Sequence, residues 1–149
     1  MIKVNYSIEI NAPVAKVYTT MLDKPTYEIW TSEFDPTSSY EGSWEKGSRI
    51  IFGAVDKDGA TQGMIAEIAE NIPNKFVSIC HKGMLEGGVE ILDGPKVEGW
   101  KNATENYTFE PTEMGTKLSV SLDITQEYKD YFDTTWVKAL QKLKEICEE

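Results

Sequence analysis

Near the C-terminus, Tyr128, Phe132, Thr135, Trp136, Ala139, Leu140, Leu143 and Cys147 recur at helical spacing. A stripe of this kind, sustained over about twenty residues, marks one long amphipathic helix whose apolar face must be covered by something else. The pattern predicts a helix from about Glu127 to Ile146, with Thr125 as its cap. No other segment is both as long and as apolar on one face, so the rest of the fold has to be arranged around this helix.

What precedes it is mostly strand. Val4, Tyr6, Ile8 and Ile10 alternate with Lys3, Asn5, Ser7 and Glu9, the period of a half-buried strand. Asn11 can cap a first helix, with Pro13 tolerated in its opening turn and Val14, Val17, Tyr18, Met21 and Leu22 on its apolar side. Asp23-Lys24-Pro25 breaks that helix and permits a short second one near residues 25–32, which ends around Trp30. From Asp35 onward the texture is β. Glu41-Gly42-Ser43 and Glu45-Lys46-Gly47 read as turns, and strands are predicted over 49–55, 61–69, 76–81, 103–109 and 118–124. Asp56-Lys57-Asp58-Gly59 is the clearest hairpin turn. Residues 83–100 read as an irregular, Gly-rich insertion ending at Trp100. The expected class is α+β: a curved antiparallel sheet of about seven strands around the last helix, with two short helices after the first strand. Its length of 149 residues suits one domain, residues 1–149, with one core.

Composition narrows the function classes. The net charge is −10, which disfavours nucleic acid and anionic membrane surfaces as partners. The lysines at 138, 142 and 144 fit better as complements of a helix C-terminus. No apolar run approaches the roughly 18 residues of a membrane span, so no membrane insertion is expected. The alternating N-terminus lacks the apolar block of a signal peptide, and a cytoplasmic location is the expectation. Both cysteines, Cys80 and Cys147, are then reduced thiols in or near the core. With His81 the only histidine and no ligand spacing, neither a metal site nor a cofactor is expected. Asp56-Lys57-Asp58-Gly59 with Glu67 has a superficial calcium-loop look, but Ala60 and Thr61 occupy the fifth and sixth positions, where a ligand and a glycine are needed.

The element order and several motifs resemble the SRPBCC superfamily, the START-like helix-grip proteins, and within it the branch of homologues of the activator of the heat-shock-protein-90 ATPase. The motifs are Ile8-Glu9-Ile10-Asn11-Ala12-Pro13-Val14-Ala15-Lys16-Val17-Tyr18, Trp30, Gly42-Ser43-Trp44-Glu45-Lys46-Gly47-Ser48, Asp58-Gly59, Glu105-Asn106-Tyr107-Thr108-Phe109, Gly115-Thr116-Lys117-Leu118 and the segment from Trp136 to Leu143. They span nearly the whole chain and concern turns and core positions rather than chemistry. The resemblance implies a hydrophobic cavity between sheet and last helix, without implying one activity.

Candidate cavity residues follow from the two periodicities. Tyr128, Phe132 and Trp136 lie on the apolar face of the last helix, and Trp30 and Trp100 stand at a helix end and in the insertion. Tyr107 and Phe109 should face that helix, and a period of two puts Glu105 and Ala103 on the same inner face. An inward carboxylate is wet, neutral or answered by a cation. Arg49 is the cation the sequence offers, as a candidate partner of Glu105. His81 is the natural suspect for acid–base work, yet no nucleophile can be paired with it, which favours a structural or exposed histidine.

No catalytic constellation is spelled out. The leading expectation is a module that binds a small apolar or amphipathic ligand. One alternative is a cyclase- or dehydratase-like enzyme using Glu105, His81 or a tyrosine. The other is a co-chaperone-like protein that engages a protein partner.

Overall fold

The computed structural model describes residues 1–149. Strand β1 (Ile2–Ile10) is followed by helices α1 (Val14–Leu22) and α2 (Lys24–Trp30), and by a short 3-10 turn at Thr31–Glu33. Seven further strands come next: β2 (Ser39–Gly42), β3 (Arg49–Val55), β4 (Thr61–Ile72), β5 (Phe76–Glu86), β6 (Val89–Ile91), β7 (Thr104–Thr112) and β8 (Gly115–Ile124). A second 3-10 turn, Gln126–Tyr128, leads into the long helix α3 (Lys129–Cys147). The strands form one sheet in the order β1-β8-β7-β5-β4-β3-β2, with β6 paired to β5, and every pairing is antiparallel.

The sheet is open and its inner face grips α3. Period two sorts the side chains: Val4 and Ile10 of β1, Tyr107 and Phe109 of β7, and Leu118, Val120 and Leu122 of β8 are buried together. They meet Trp136, Ala139, Leu140, Leu143 and Cys147 of α3 in a continuous core of 24 residues. Burial of a large apolar side chain contributes about 1.5–3 kcal/mol, so this shared face supplies most of the force that holds helix to sheet. The α1 helix closes one end of the grip with Val17, Met21 and Leu22. Cys147 and Cys80 are both free thiols, the first buried and the second half-buried. No helix is long and apolar enough to cross a membrane.

Four details depart from the expected pattern. The sheet has eight strands, because Ser39–Gly42 pairs with β3 where a turn was expected at its end. Residues 83–100 are only partly irregular: β5 runs on to Glu86 and turns into β6. The alternation is broken there by a bulge, since Ala66 faces His81 while Ile65 faces Gly83, which leaves Lys82 unmatched. The backbones then approach so closely that a Cβ at Gly83 would lie 2.5 Å from the Ile91 carbonyl oxygen. Third, α3 starts at Lys129 and ends at Cys147, because residues 126–128 wind as a 3-10 turn. The Thr125 hydroxyl makes no hydrogen bond, and Tyr128 occupies the cap position. Fourth, Asn11 does not cap α1, whose cap position is Pro13; the Asn11 backbone N–H instead donates to the Glu148 carboxylate at 2.8 Å.

Candidate functional site

The helix does not fill the grip evenly. Its C-terminal half carries Leu140, Leu143 and Cys147 into the apolar core. Its N-terminal half stands off from the sheet, leaving a cavity of about 660 Å³ bounded by α2, the strands β3, β4, β5, β7 and β8, and the start of α3. Of its 28 lining residues, 16 are hydrophobic. Gly53, Ala54 and Gly63 of β3 and β4 line it together with the larger Phe52, Gln62 and Met64 of the same strands.

Trp136 marks the boundary between core and cavity. It is only 4% exposed and also forms part of the cavity wall. Its ring lies 6.3 Å from Tyr6, 5.9 Å from Trp30, 5.1 Å from Phe34 and 6.4 Å from Tyr107. Aromatic pairs at these separations add about 0.5–1.5 kcal/mol each beyond the area they bury. Trp30 is buried, with its indole N–H donating to the Met21 carbonyl at 3.0 Å, and forms part of the cavity wall. Phe132 and the exposed Tyr128 line the helix side, with ring centres 6.4 Å apart. Trp100 closes part of the opposite side, its N–H held by the Lys96 carbonyl at 2.8 Å.

The polar part of the wall is built from β5 and β7. Ala103, Glu105, Tyr107 and Phe109 point inward in alternation, as do Val77, Ile79 and His81. Ile79 is directly opposite Glu105, so His81 stands diagonally across from the carboxylate. The His81 Nε2 to Glu105 Oε1 distance is 3.4 Å. The other oxygen, Oε2, accepts the Tyr107 hydroxyl. Tyr107 is 2% exposed, and burial followed by the adjacent Glu105 charge pushes its phenol well above its ordinary pKa. The same two causes raise that of Tyr27, also in the wall. Both phenols therefore stay protonated. Glu105 keeps 20% of its side chain exposed and His81 keeps 12%, so solvent reaches the cluster through the cavity. A carboxylate only accepts, so in the neutral ring the imidazole proton sits on Nε2. Nδ1 is then an acceptor, and it is buried with no hydrogen-bond partner.

Arg49 is not at this site. On β3 it alternates with Ile50 and Phe52, which face inward, so it emerges on the outer face. There it pairs with Glu90 of β6 at 52% side-chain exposure. The expected Arg49–Glu105 pair does not form, and no lysine or arginine replaces it beside Glu105. His81, an acid–base candidate in the sequence, is also a residue of the cavity wall. The signal for that was present, because Val77, Ile79 and His81 share one strand face. Tyr27, Phe34 and Phe52 carry no such signal, since nothing local shows that α2 and the 3-10 turn lean over the sheet. No three His, Cys, Asp or Glu side chains gather in a way that could hold a metal ion.

Comparison with solved structures places this geometry. A structure from Colwellia psychrerythraea, described as the Aha1 dimer, superposes with a TM-score of 0.73 at 22% identity, over 99% of this chain and 97% of that one. The chain has the helix-grip fold. The AHSA1-like protein from Aeromonas hydrophila matches this helix-grip chain with a TM-score of 0.72 at 14% identity, over 97% of this chain and 90% of that one. Protein CV1439 from Chromobacterium violaceum gives 0.70 at 14% identity, over 100% and 99%. The fold is thus the one seen in these Aha1 and AHSA1-like structures. No protein-family model matches the sequence, and no curated protein does.

Proposed function

We propose that this helix-grip chain binds a small amphipathic molecule in the cavity between its sheet and the first half of α3. The observation that carries this reading is the cavity itself: about 660 Å³, walled mainly by aromatic and aliphatic side chains, with one polar cluster. Small-molecule sites commonly measure about 300–1,000 Å³ and combine apolar walls with a few placed polar groups. A chain selected only for stability would gain by filling such a space, because each unfilled volume forfeits packing energy. The test is titration with an apolar fluorescent probe, followed by competition with a panel of amphipathic compounds. Micromolar binding that raises the melting temperature supports the reading. No binding and no thermal shift across the panel refutes it.

A second reading, an enzyme acting in the same cavity, is favoured by one observation. Glu105 and the His81 ring stand side by side in the cavity wall, with 3.4 Å between Oε1 and Nε2, a carboxylate–imidazole pair of the kind that serves acid–base chemistry. It is tested by comparing small molecules co-purified with the native chain and with His81→Gln. Different masses in the two preparations support turnover, and one common mass supports binding alone.

A further inference from the structure

The polar groups of the cavity are unbalanced in sign. Three carboxylates line it, from Asp35, Glu105 and Asp123, against one ammonium, that of Lys96. Lys96 is engaged by Glu86 at 2.6 Å, and Asp123 by Lys3 at 2.9 Å. Glu105 has no lysine or arginine partner; its only basic neighbour is the His81 ring. Its two oxygens accept one donor each, from His81 and Tyr107, while a carboxylate offers about four lone-pair sites. At the carboxylate itself the free polar capacity is acceptor capacity, the remaining lone pairs of Glu105. The surrounding rings, Tyr27, Phe52, Tyr107 and Trp136, line the cavity, and aromatic rings attract cations through their faces.

Resting on the binding function proposed above, we infer that the ligand of this cavity is an organic cation: an amphiphile whose protonated amine is seated on Glu105 while its apolar part lies along the aromatic wall. A partly desolvated carboxylate without a fixed counter-charge leaves its charge incompletely answered, and an incoming ammonium supplies both the charge and the donors. A ligand with a carboxylate head would meet Glu105 at close range with no cation to offset it, and an alcohol would supply a donor but no charge.

Three probes of equal chain length test this: a primary alkylamine, the alkyl alcohol and the alkyl carboxylate, each below its micelle-forming concentration at physiological salt. Salt screens the general attraction of the −10 chain for cations. Affinities are read by tryptophan fluorescence and calorimetry. The expected result is at least tenfold tighter binding of the amine than of the alcohol, with the carboxylate weakest. In Glu105→Gln, which keeps an acceptor for Tyr107, the amine preference should collapse while alcohol binding persists, and the persistence shows that the variant is folded. Glu113→Gln, which removes the same charge from an exposed hairpin turn, should retain the preference. Alcohol binding without an amine preference overturns this inference and leaves the cavity reading standing. So does a preference that survives in Glu105→Gln. If none of the three probes binds, both fail.

Discussion

Replacing Trp136 by alanine probes both the grip of the helix and the wall of the cavity. The indole is 4% exposed and lies against rings from β1, α2 and β7 and against Phe34, just after the first 3-10 turn. An aromatic side chain buries about 150–250 Å². At about 25 cal/mol per Å² this gives roughly 4–6 kcal/mol. Residual compactness of the unfolded chain trims it by about 10–40%. Part of the indole already borders open space, so the void it leaves adds less than a fully enclosed cavity would. The expected loss is therefore about 3–4 kcal/mol, within the usual range for an aromatic-to-alanine core change. Urea unfolding should show a lower midpoint with an unchanged slope, and the melting temperature should fall by about 10 °C at roughly 3 °C per kcal/mol. A loss below about 1 kcal/mol would mean that Trp136 does not join helix to sheet, and the account of the core would fail.

The outward position of Arg49 predicts that Arg49→Ala costs less than about 1 kcal/mol, as for exposed ion pairs, and leaves probe affinity unchanged. Weakened probe binding in that variant would contradict the placement. Asp133 is held below its ordinary pKa of 3.8 first by Lys129 and then by the Tyr6 hydroxyl. Folding makes this carboxyl bind its proton less readily, so its contribution is full above 3.8 and is lost as pH falls through the folded value. Urea midpoints of the native chain and Asp133→Asn should differ at neutral pH and converge as pH drops below 3.8; a constant gap would refute the linkage.

The parts of this architecture legible in the sequence are those set by local periodicity. The α3 stripe and the alternation of β1 specify two elements, and the alternation through Glu105, Tyr107 and Phe109 places the carboxylate on the inner face. The same rule applied to β3 sends Arg49 outward, opposite Phe52, and applied to β5 it sends His81 inward beside Glu105. Those consequences need the relative placement of two strands, which one strand's pattern does not contain. The β5–β6 hairpin was hidden for another reason: the bulge at Lys82 interrupts the period that would have revealed it. The cavity itself depends on how far the N-terminal half of α3 stands from the sheet. That distance is set by Trp30, Phe34 and Trp136 packing together from three separate elements.

Whether the space under α3 holds a small molecule can be read by native mass spectrometry of the protein purified gently from its own cells. The expected result is a species heavier than the bare chain by the mass of one small molecule, lost on denaturation and displaced by an excess of the fluorescent probe. A single species at the mass of the bare chain, or an adduct that the probe does not displace, would contradict it.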